Sequence, residues 1–195
     1  MKTAMIILLI VSMTPKEVPT REIVLGGGCF WCTEALFKQL NGVLEVTSGY
    51  SGGDRINPDY QSVCSGETGH AEVVRVRYNP EVIPLETLLE VFFFSHDPTS
   101  LNQQGADIGS QYRSVIFYTV PEQEPTINHA IKKLNESGKY PKKVVTEVLP
   151  FKNFYPAESY HQNYYNRNPN VPYCKFLIKP KLDKLNKSFD PNSIK

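Results

Sequence analysis

The sequence lacks several features that would settle its class at a glance. Its 195 residues carry a net charge of +1, so no excess of positive charge is available to hold nucleic acid. No apolar run reaches the ~20 residues needed to cross a bilayer. The cysteines number only four, Cys29, Cys32, Cys64 and Cys174, too few for a disulfide scaffold in a chain of this length. Internal repeats and low-complexity segments are missing, which excludes solenoids and biased tracts. The rest is ordinary. Hydrophobic residues at 41% and charged residues at 21% exclude wholesale disorder, and the length suits one domain with a full core.

The two ends of the chain differ from its body. Met1-Lys2 precedes an apolar run from Ala4 to Met13, then Thr14-Pro15. That run is too short for a membrane span but suits the apolar region of an export signal. Residues 1–20 are therefore expected to be a signal-like or disordered segment, and residues 21–195 one domain. Export would make the protein periplasmic or secreted; without it the protein is cytoplasmic. At the other end, residues 175–195 hold six Lys against Asp183 and Asp190, a local charge of +4. A solvated tail explains this best, with an anionic partner as the lesser alternative.

Between the ends, hydrophobic periodicity predicts a definite order of elements. Arg21 to Leu25 reads as a strand running into Gly26-Gly27-Gly28. From Phe30 to Leu40, Trp31, Ala35, Leu36 and Leu40 recur at helical spacing. Val43 to Gly49 reads as a second strand, and the polar stretch 51–69 as a long loop, a type that is usually functional. In the third strand, 71–78, Val74, Val76 and Tyr78 alternate with Arg75 and Arg77. Leu85, Leu88, Leu89, Phe92 and Phe93 give an amphipathic helix after Pro84. A second loop, 97–111, leads to a strand at 114–118. This β-α-β-β-α-β order predicts an α+β, two-layer split β-α-β (ferredoxin-like) sandwich. Beyond it come a helix at 122–137, a strand at 144–149, a partly helical aromatic stretch at 151–165, and a long irregular C-terminal tail.

The sharpest chemical feature is Cys29, between a glycine turn and a helix. A thiol there meets the positive end of the helix dipole and free N–H groups, which favour the nucleophilic thiolate. The bland alternative is an inert buried cysteine; three preceding glycines argue against it, because they allow close approach to the backbone. Cys29-Phe30-Trp31-Cys32 is also an arrangement of redox or metal chemistry.

Gly28-Cys29-Phe30-Trp31 resembles the signature of the A-type peptide methionine-S-sulfoxide reductases. Five further blocks are similar, in the same order: Gly49-Tyr50-Ser51-Gly52-Gly53, Pro58-Asp59-Tyr60, Val63-Cys64-Ser65-Gly66, Gly69-His70-Ala71-Glu72 and Gln111-Tyr112-Arg113-Ser114. The resemblance runs from about Glu22 to Cys174. It implies reduction of the S epimer of methionine sulfoxide, free or in oxidised proteins, by a single catalytic domain. Cys29 is then the nucleophile, Glu72 the proton donor, and Tyr60 and Tyr112 the phenol donors to the sulfoxide oxygen. Phe30 and Trp31 match the apolar wall for the substrate methyl group, and Asp107 an acid near the oxygen-binding tyrosines. Taken alone, Glu72 reads as an exposed strand residue, Phe30 and Trp31 as helix core, and Asp107 as a turn residue.

Attack on a sulfoxide leaves Cys29 as a sulfenic acid, which a second thiol condenses with to give a disulfide. Many family members carry two recycling cysteines near the C-terminus, whereas this chain has Cys174 alone. Cys174 on a flexible tail is the first choice for the resolving thiol and Cys32 the second, with Cys64 read as a buried small hydrophobe. Tyr160, Tyr164 and Tyr165 read as packing. The resemblance implies no bound cofactor, and thioredoxin, or a dithiol in vitro, as reductant. His70, His96, His129 and His161 share no metal-ligand spacing, so no metal is expected, and the chain is expected to be monomeric. Two rivals stand beside this reading: a thiol-disulfide oxidoreductase using Cys29-x-x-Cys32, and a zinc module held by all four cysteines, for which the spacing is poor.

Overall fold

The computed structural model describes residues 18–195. The apolar run from Ala4 to Met13, with the export reading attached to it, lies outside them. Strand β1 (Arg21–Gly26) leads through the glycine turn into helix α1 (Phe30–Lys38), and β2 (Val43–Ser51) follows. A short α2 (Tyr60–Cys64) interrupts the first long loop before β3 (Ala71–Tyr78) and α3 (Leu85–Ser95). The second loop carries a two-strand hairpin, β4 (Gln103–Gln104) and β5 (Asp107–Ile108), ahead of β6 (Val115–Tyr118). Then come α4 (Gln123–Glu136), β7 (Glu147–Pro150), β8 (Tyr155–Pro156), α5 (Tyr164–Arg167) and α6 (Lys179–Ser188). Among the described residues no helix is long and apolar enough to cross a membrane.

The main sheet has the order β7-β6-β1-β3-β2-β8. Its four central strands are antiparallel, and β7 adds in parallel beside β6. The expected β-α-β-β-α-β core is thus present, with β1 and β3 central.

Strand alternation sorts the core into two faces. Ile23, Leu25, Val74, Val76, Tyr50 and Ile116 share a buried cluster with Leu36 and Phe37 of α1 and Leu88, Leu89 and Phe92 of α3. Val24, Val73, Val115 and Phe117 form a smaller cluster on the opposite face, packed by Phe151 and Phe154. Glu72 precedes Val74 and Val76 by two and four residues, so it continues the buried row on the helix side. A carboxyl at that point of the row is forced inward.

Three regions depart from the sequence expectation. The stretch 151–165 is mostly irregular, with β8 at the sheet edge and α5 beginning only at Tyr164. The loops at 51–69 and 97–111 contain α2 and the β4–β5 hairpin. The tail is not irregular: a π-helical turn, Cys174–Ile178, runs straight into α6. Ile178, Leu182 and Leu185 lie at i, i+4 and i+7 and are buried at 0%, 7% and 0% exposure, so an apolar stripe docks this segment. The lysines occupy its solvated side.

If the C-terminal helix is part of the core, Leu185→Ala should cost ~2–5 kcal/mol, as for other buried leucines. Urea unfolding of the intact chain measures this. A change under ~0.5 kcal/mol would mean that the helix docks without contributing to stability.

Candidate active site

The glycine turn sets the site. Gly28 has φ +87, and a Cβ there would lie 2.7 Å from Gln104 Cγ of the β4–β5 hairpin, so both its conformation and its surroundings require glycine. Cys29 follows at the N-cap of α1 and is half-buried. The next N–H, that of Phe30, donates to Glu72 Oε2 at 3.0 Å. This bond fastens the start of α1 onto β3 and brings Cys29 beside the Glu72 carboxyl.

Glu72 is 1% exposed. Burial pushes its carboxyl up to about 8, despite the Phe30 N–H, which stabilises the charged form. It therefore holds its proton at neutral pH. Tyr60 and Tyr112 face the same charges: burial first, then neighbours that include Glu72, hold both phenols above their ordinary range. Tyr112 also feels Cys64, Cys29 and Asp107. Thus Cys29, Glu72, Tyr60 and Tyr112, which come from four separate segments, are assembled around one point.

Their supports are specific. Glu158 accepts from the Tyr60 N–H at 2.9 Å and from the Tyr50 hydroxyl at 2.8 Å, which fixes the start of α2. Arg113 donates to the Ser110 carbonyl at 3.0 Å, to the Gly69 carbonyl at 3.1 Å and to Glu147 at 3.2 Å. It thereby ties the turn carrying Tyr112 to the entrance of β3. Cys64 is half-buried, not buried as expected, because it closes the short surface helix α2, in which Val63 is the residue that faces the core.

The apolar side is an aromatic cluster. Trp31 stacks on Tyr164 with centroids 3.7 Å apart and planes 6° from parallel. Its Nε1–H donates to His161 Nδ1 at 3.0 Å, so neutral His161 carries its proton on Nε2. Phe30, 1% exposed, lies beneath, with its ring 5.0 Å from that of His161. The Tyr60 ring closes on His161 from the other side at 4.5 Å. Tyr164, which the sequence suggests is packing, and His161, which it leaves without a metal role, therefore shape this wall.

Cys29 at the N-cap and Cys32 at N3 of α1 lie on one helix turn and influence each other's ionisation. They titrate as a pair. With the charge on Cys32, the neighbouring Cys29 thiol stabilises it and brings Cys32 down to about 7. Cys29 is pushed well up, first by burial, then by Cys32 and the Glu72 charge, so burial outweighs the expected benefit of the helix terminus. The Tyr173 hydroxyl lies 3.8 Å from Cys32 Sγ and donates to Asp107 Oδ2 at 3.0 Å. Sequence reasoning missed Tyr173, since nothing local links positions 141 residues apart. Cys174 is fully buried in its π-helical turn, and its thiol is raised first by burial and then by nearby Cys32.

Among the described residues no group of three or more His, Cys, Asp or Glu could hold a metal ion. A groove of about 510 Å³ between α3 and α4, lined by Phe93, Phe94 and Phe189, shares no residue with this site.

A site in which one thiol can attack and a second can follow it belongs to the cysteine-dependent oxidoreductases. Comparison with known proteins narrows that class. The family model described as peptide methionine sulfoxide reductase matches residues 21–193. A relative from Psychrobacter cryohalolentis, described as peptide methionine sulfoxide reductase MsrA, is 54% identical over 169 residues, 87% of this chain and 96% of that protein. The reduced crystal structure of Mxr1 from Saccharomyces cerevisiae aligns with a TM-score of 0.74 at 34% identity, covering 84% of this chain and 94% of that one. The same yeast protein in complex with Trx2 aligns at 0.52 and 25% identity, over 79% and 91%. The chain belongs to the peptide methionine sulfoxide reductase family.

Burial of Glu72 has a consequence for stability. In the unfolded chain its carboxyl ionises near the ordinary value of 4.5, and in the folded protein only near 8. Its contribution is therefore complete below pH ~4.5 and is lost as pH rises toward 8. Glu72→Gln should gain stability relative to wild type between pH 5 and pH 8, measured by urea unfolding at both values. Parallel pH profiles would show that the carboxyl is not held neutral.

Proposed function

We propose that Cys29 performs the oxygen transfer of this methionine sulfoxide reductase, with Glu72 as proton donor and residues 21–195 working as one catalytic domain. The enzyme reduces the S epimer of methionine sulfoxide to methionine. The observation that carries the assignment is the Glu72 carboxyl, 1% exposed and bonded to the Phe30 N–H next to the half-buried Cys29 thiol. Moving the shared proton from Cys29 to Cys32 leaves Cys29 as thiolate. Its attack on the sulfoxide sulfur drives electrons onto the oxygen, which takes the Glu72 proton. Methionine departs, Cys29 is left as a sulfenic acid, and Glu72 is left ionised to recover its proton from water.

Tyr60 and Tyr112 donate hydrogen bonds to the sulfoxide oxygen. Their raised values suit this task, because both remain phenols at any physiological pH. Trp31 and Phe30, backed by Tyr164 and His161, receive the methyl group. Asp107 acts at one remove, through the Tyr173 hydroxyl. Ile108 and Tyr160, 75% and 52% exposed beside the site, offer apolar contact to a polypeptide that carries the oxidised residue.

For the resolving step we propose Cys32 ahead of Cys174, reversing the order that the sequence suggests. Support comes from the N-cap and N3 positions of Cys29 and Cys32 on one helix turn, and from the coupling between the two thiols. Cys174 has no exposed surface and sits in a helical turn, so it would need the turn to open. Attack of Cys32 on the sulfenic sulfur expels water and forms the Cys29–Cys32 disulfide. An external dithiol, by analogy with the yeast complex a thioredoxin, then reduces it.

Both epimers of N-acetylmethionine sulfoxide, supplied with dithiothreitol and followed by chiral chromatography, test the reaction. Consumption of the S epimer alone, lost in Cys29→Ser, is expected; consumption of neither by a folded protein would end this reading. The wild-type rate should fall as pH rises through about 8. Glu72→Gln should lose that limb and run on the order of 10²-fold or more slower below it. With thioredoxin as reductant, Cys32→Ser should lose turnover and Cys174→Ser retain it; the opposite pattern restores Cys174.

A further inference from the structure

We infer that Tyr173 and Asp107 form a proton relay that deprotonates Cys32 for its attack on the Cys29 sulfenic acid. This inference rests on the reading of Cys32 as the resolving thiol. The Cys32 thiol donates to Tyr173 Oη at 3.8 Å, and the Tyr173 hydroxyl donates to Asp107 Oδ2 at 3.0 Å. The three groups therefore form one continuous, correctly directed chain of donors and acceptors.

The burial pattern explains why a relay is needed. Cys32 is 5% exposed and meets little water that could take its proton. Asp107 stands on the β4–β5 hairpin and is partly exposed, so its carboxyl can pass a proton to solvent. Tyr173 connects the two, with its ring held edge-on to Trp31 at 5.7 Å.

Oxidation of Cys29 creates the demand. In the reduced protein the Cys29 thiol is the main group favouring the Cys32 thiolate. Oxygen transfer consumes that S–H donor just when Cys32 must ionise. Of the other groups facing Cys32, Lys181 on α6 and Tyr173 favour the charge, whereas Asp107, Glu72 and buried Cys174 disfavour it. Tyr173 is the neighbour whose oxygen accepts the thiol hydrogen.

In the proposed step the Cys32 proton passes to Tyr173 Oη while the Tyr173 proton passes to Asp107. The Cys32 sulfur attacks the Cys29 sulfur, the S–S bond forms and the S–O bond breaks. The departing oxygen takes a proton from reprotonated Glu72 and leaves as water, and Asp107 releases its proton to solvent. No external oxidant or reductant enters this step.

A rapid-quench single turnover without reductant tests the relay, by counting methionine formed and thiols lost over pH 6–9. Trp31, the one tryptophan of the chain, reports the same events by fluorescence. In Tyr173→Phe the lag between methionine formation and thiol loss should lengthen on the order of tenfold or more at pH 6.5. The lag should shrink toward pH 9, because rising pH favours loss of the Cys32 proton without the relay. Asp107→Asn, on a separate hairpin, should change the lag in the same way and keeps the test decisive if Tyr173→Phe does not fold. An unchanged lag, or one lengthened equally at every pH as a structural role would give, overturns the relay. Cys32→Ser separates the two readings. If it stops at the sulfenic acid while Tyr173→Phe matches wild type, the relay alone falls; if it still closes a disulfide, the Cys32 reading falls and takes the relay with it.

Discussion

The hydrogen bond from the Phe30 N–H to Glu72 Oε2 is the constraint on which the rest of the site depends. A carboxyl buried in the helix-facing row of β3 costs several kcal/mol unless a partner compensates it. The start of α1 supplies that partner, since its first N–H groups have none within the helix. One contact therefore answers two needs, and it fixes where Cys29 must sit. The compensation is incomplete, because one neutral donor does not replace full hydration. The carboxyl therefore stays protonated near neutral pH and is available as an acid.

Close approach of α1 to β3 has its own requirement at the turn between β1 and α1. Gly26 lies where a Cβ would meet Val115 Cγ1 at 2.9 Å and the Glu72 carbonyl at 3.0 Å. Any side chain there would push β1 and β3 apart at the point where Glu72 projects. This part of the site was legible in the sequence: three glycines, a cysteine, and a helical pattern beginning at once. Glu72 was legible only through the family resemblance, and a further signal in the strand pattern went unused. The spacing of Glu72, two from Val74 and four from Val76, puts it on the buried face of the strand, a stronger indication than its residue type, which taken alone reads as exposed.

What was not legible is what comes from far along the chain. His161 meets Trp31 across 130 residues, Glu158 meets the Tyr60 N–H across 98, and Tyr173 meets Cys32 across 141. All three belong to the segment after β7, where regular periodicity gives out and the backbone is held by side-chain bonds. Gln162, for example, bonds both the N–H and the carbonyl of Ser48. The tail was misread for a related reason. Asn and Pro at 166–172 signal irregular chain, but Ile178, Leu182 and Leu185 after them carry a helical stripe. Their lysine neighbours are the wet side of a docked helix, and Cys174 is locked beneath it.

A Cys-x-x-Cys pair at a helix N-terminus serves thiol-disulfide exchange as readily as oxygen transfer, so the thiols alone do not distinguish the two chemistries. The proton requirement does. Disulfide exchange expels a thiolate, a stable leaving group that needs little help. Removing oxygen from a sulfoxide builds charge on an oxygen that cannot leave as such, so a proton must be delivered to it. Two phenols held protonated together with a buried carboxyl beside Cys29 supply donors for a developing oxygen charge, which exchange between sulfurs does not generate. Burying Glu72 lowers stability at every pH where it would otherwise ionise, and an oxygen-transferring enzyme is the kind of protein in which that cost has a return.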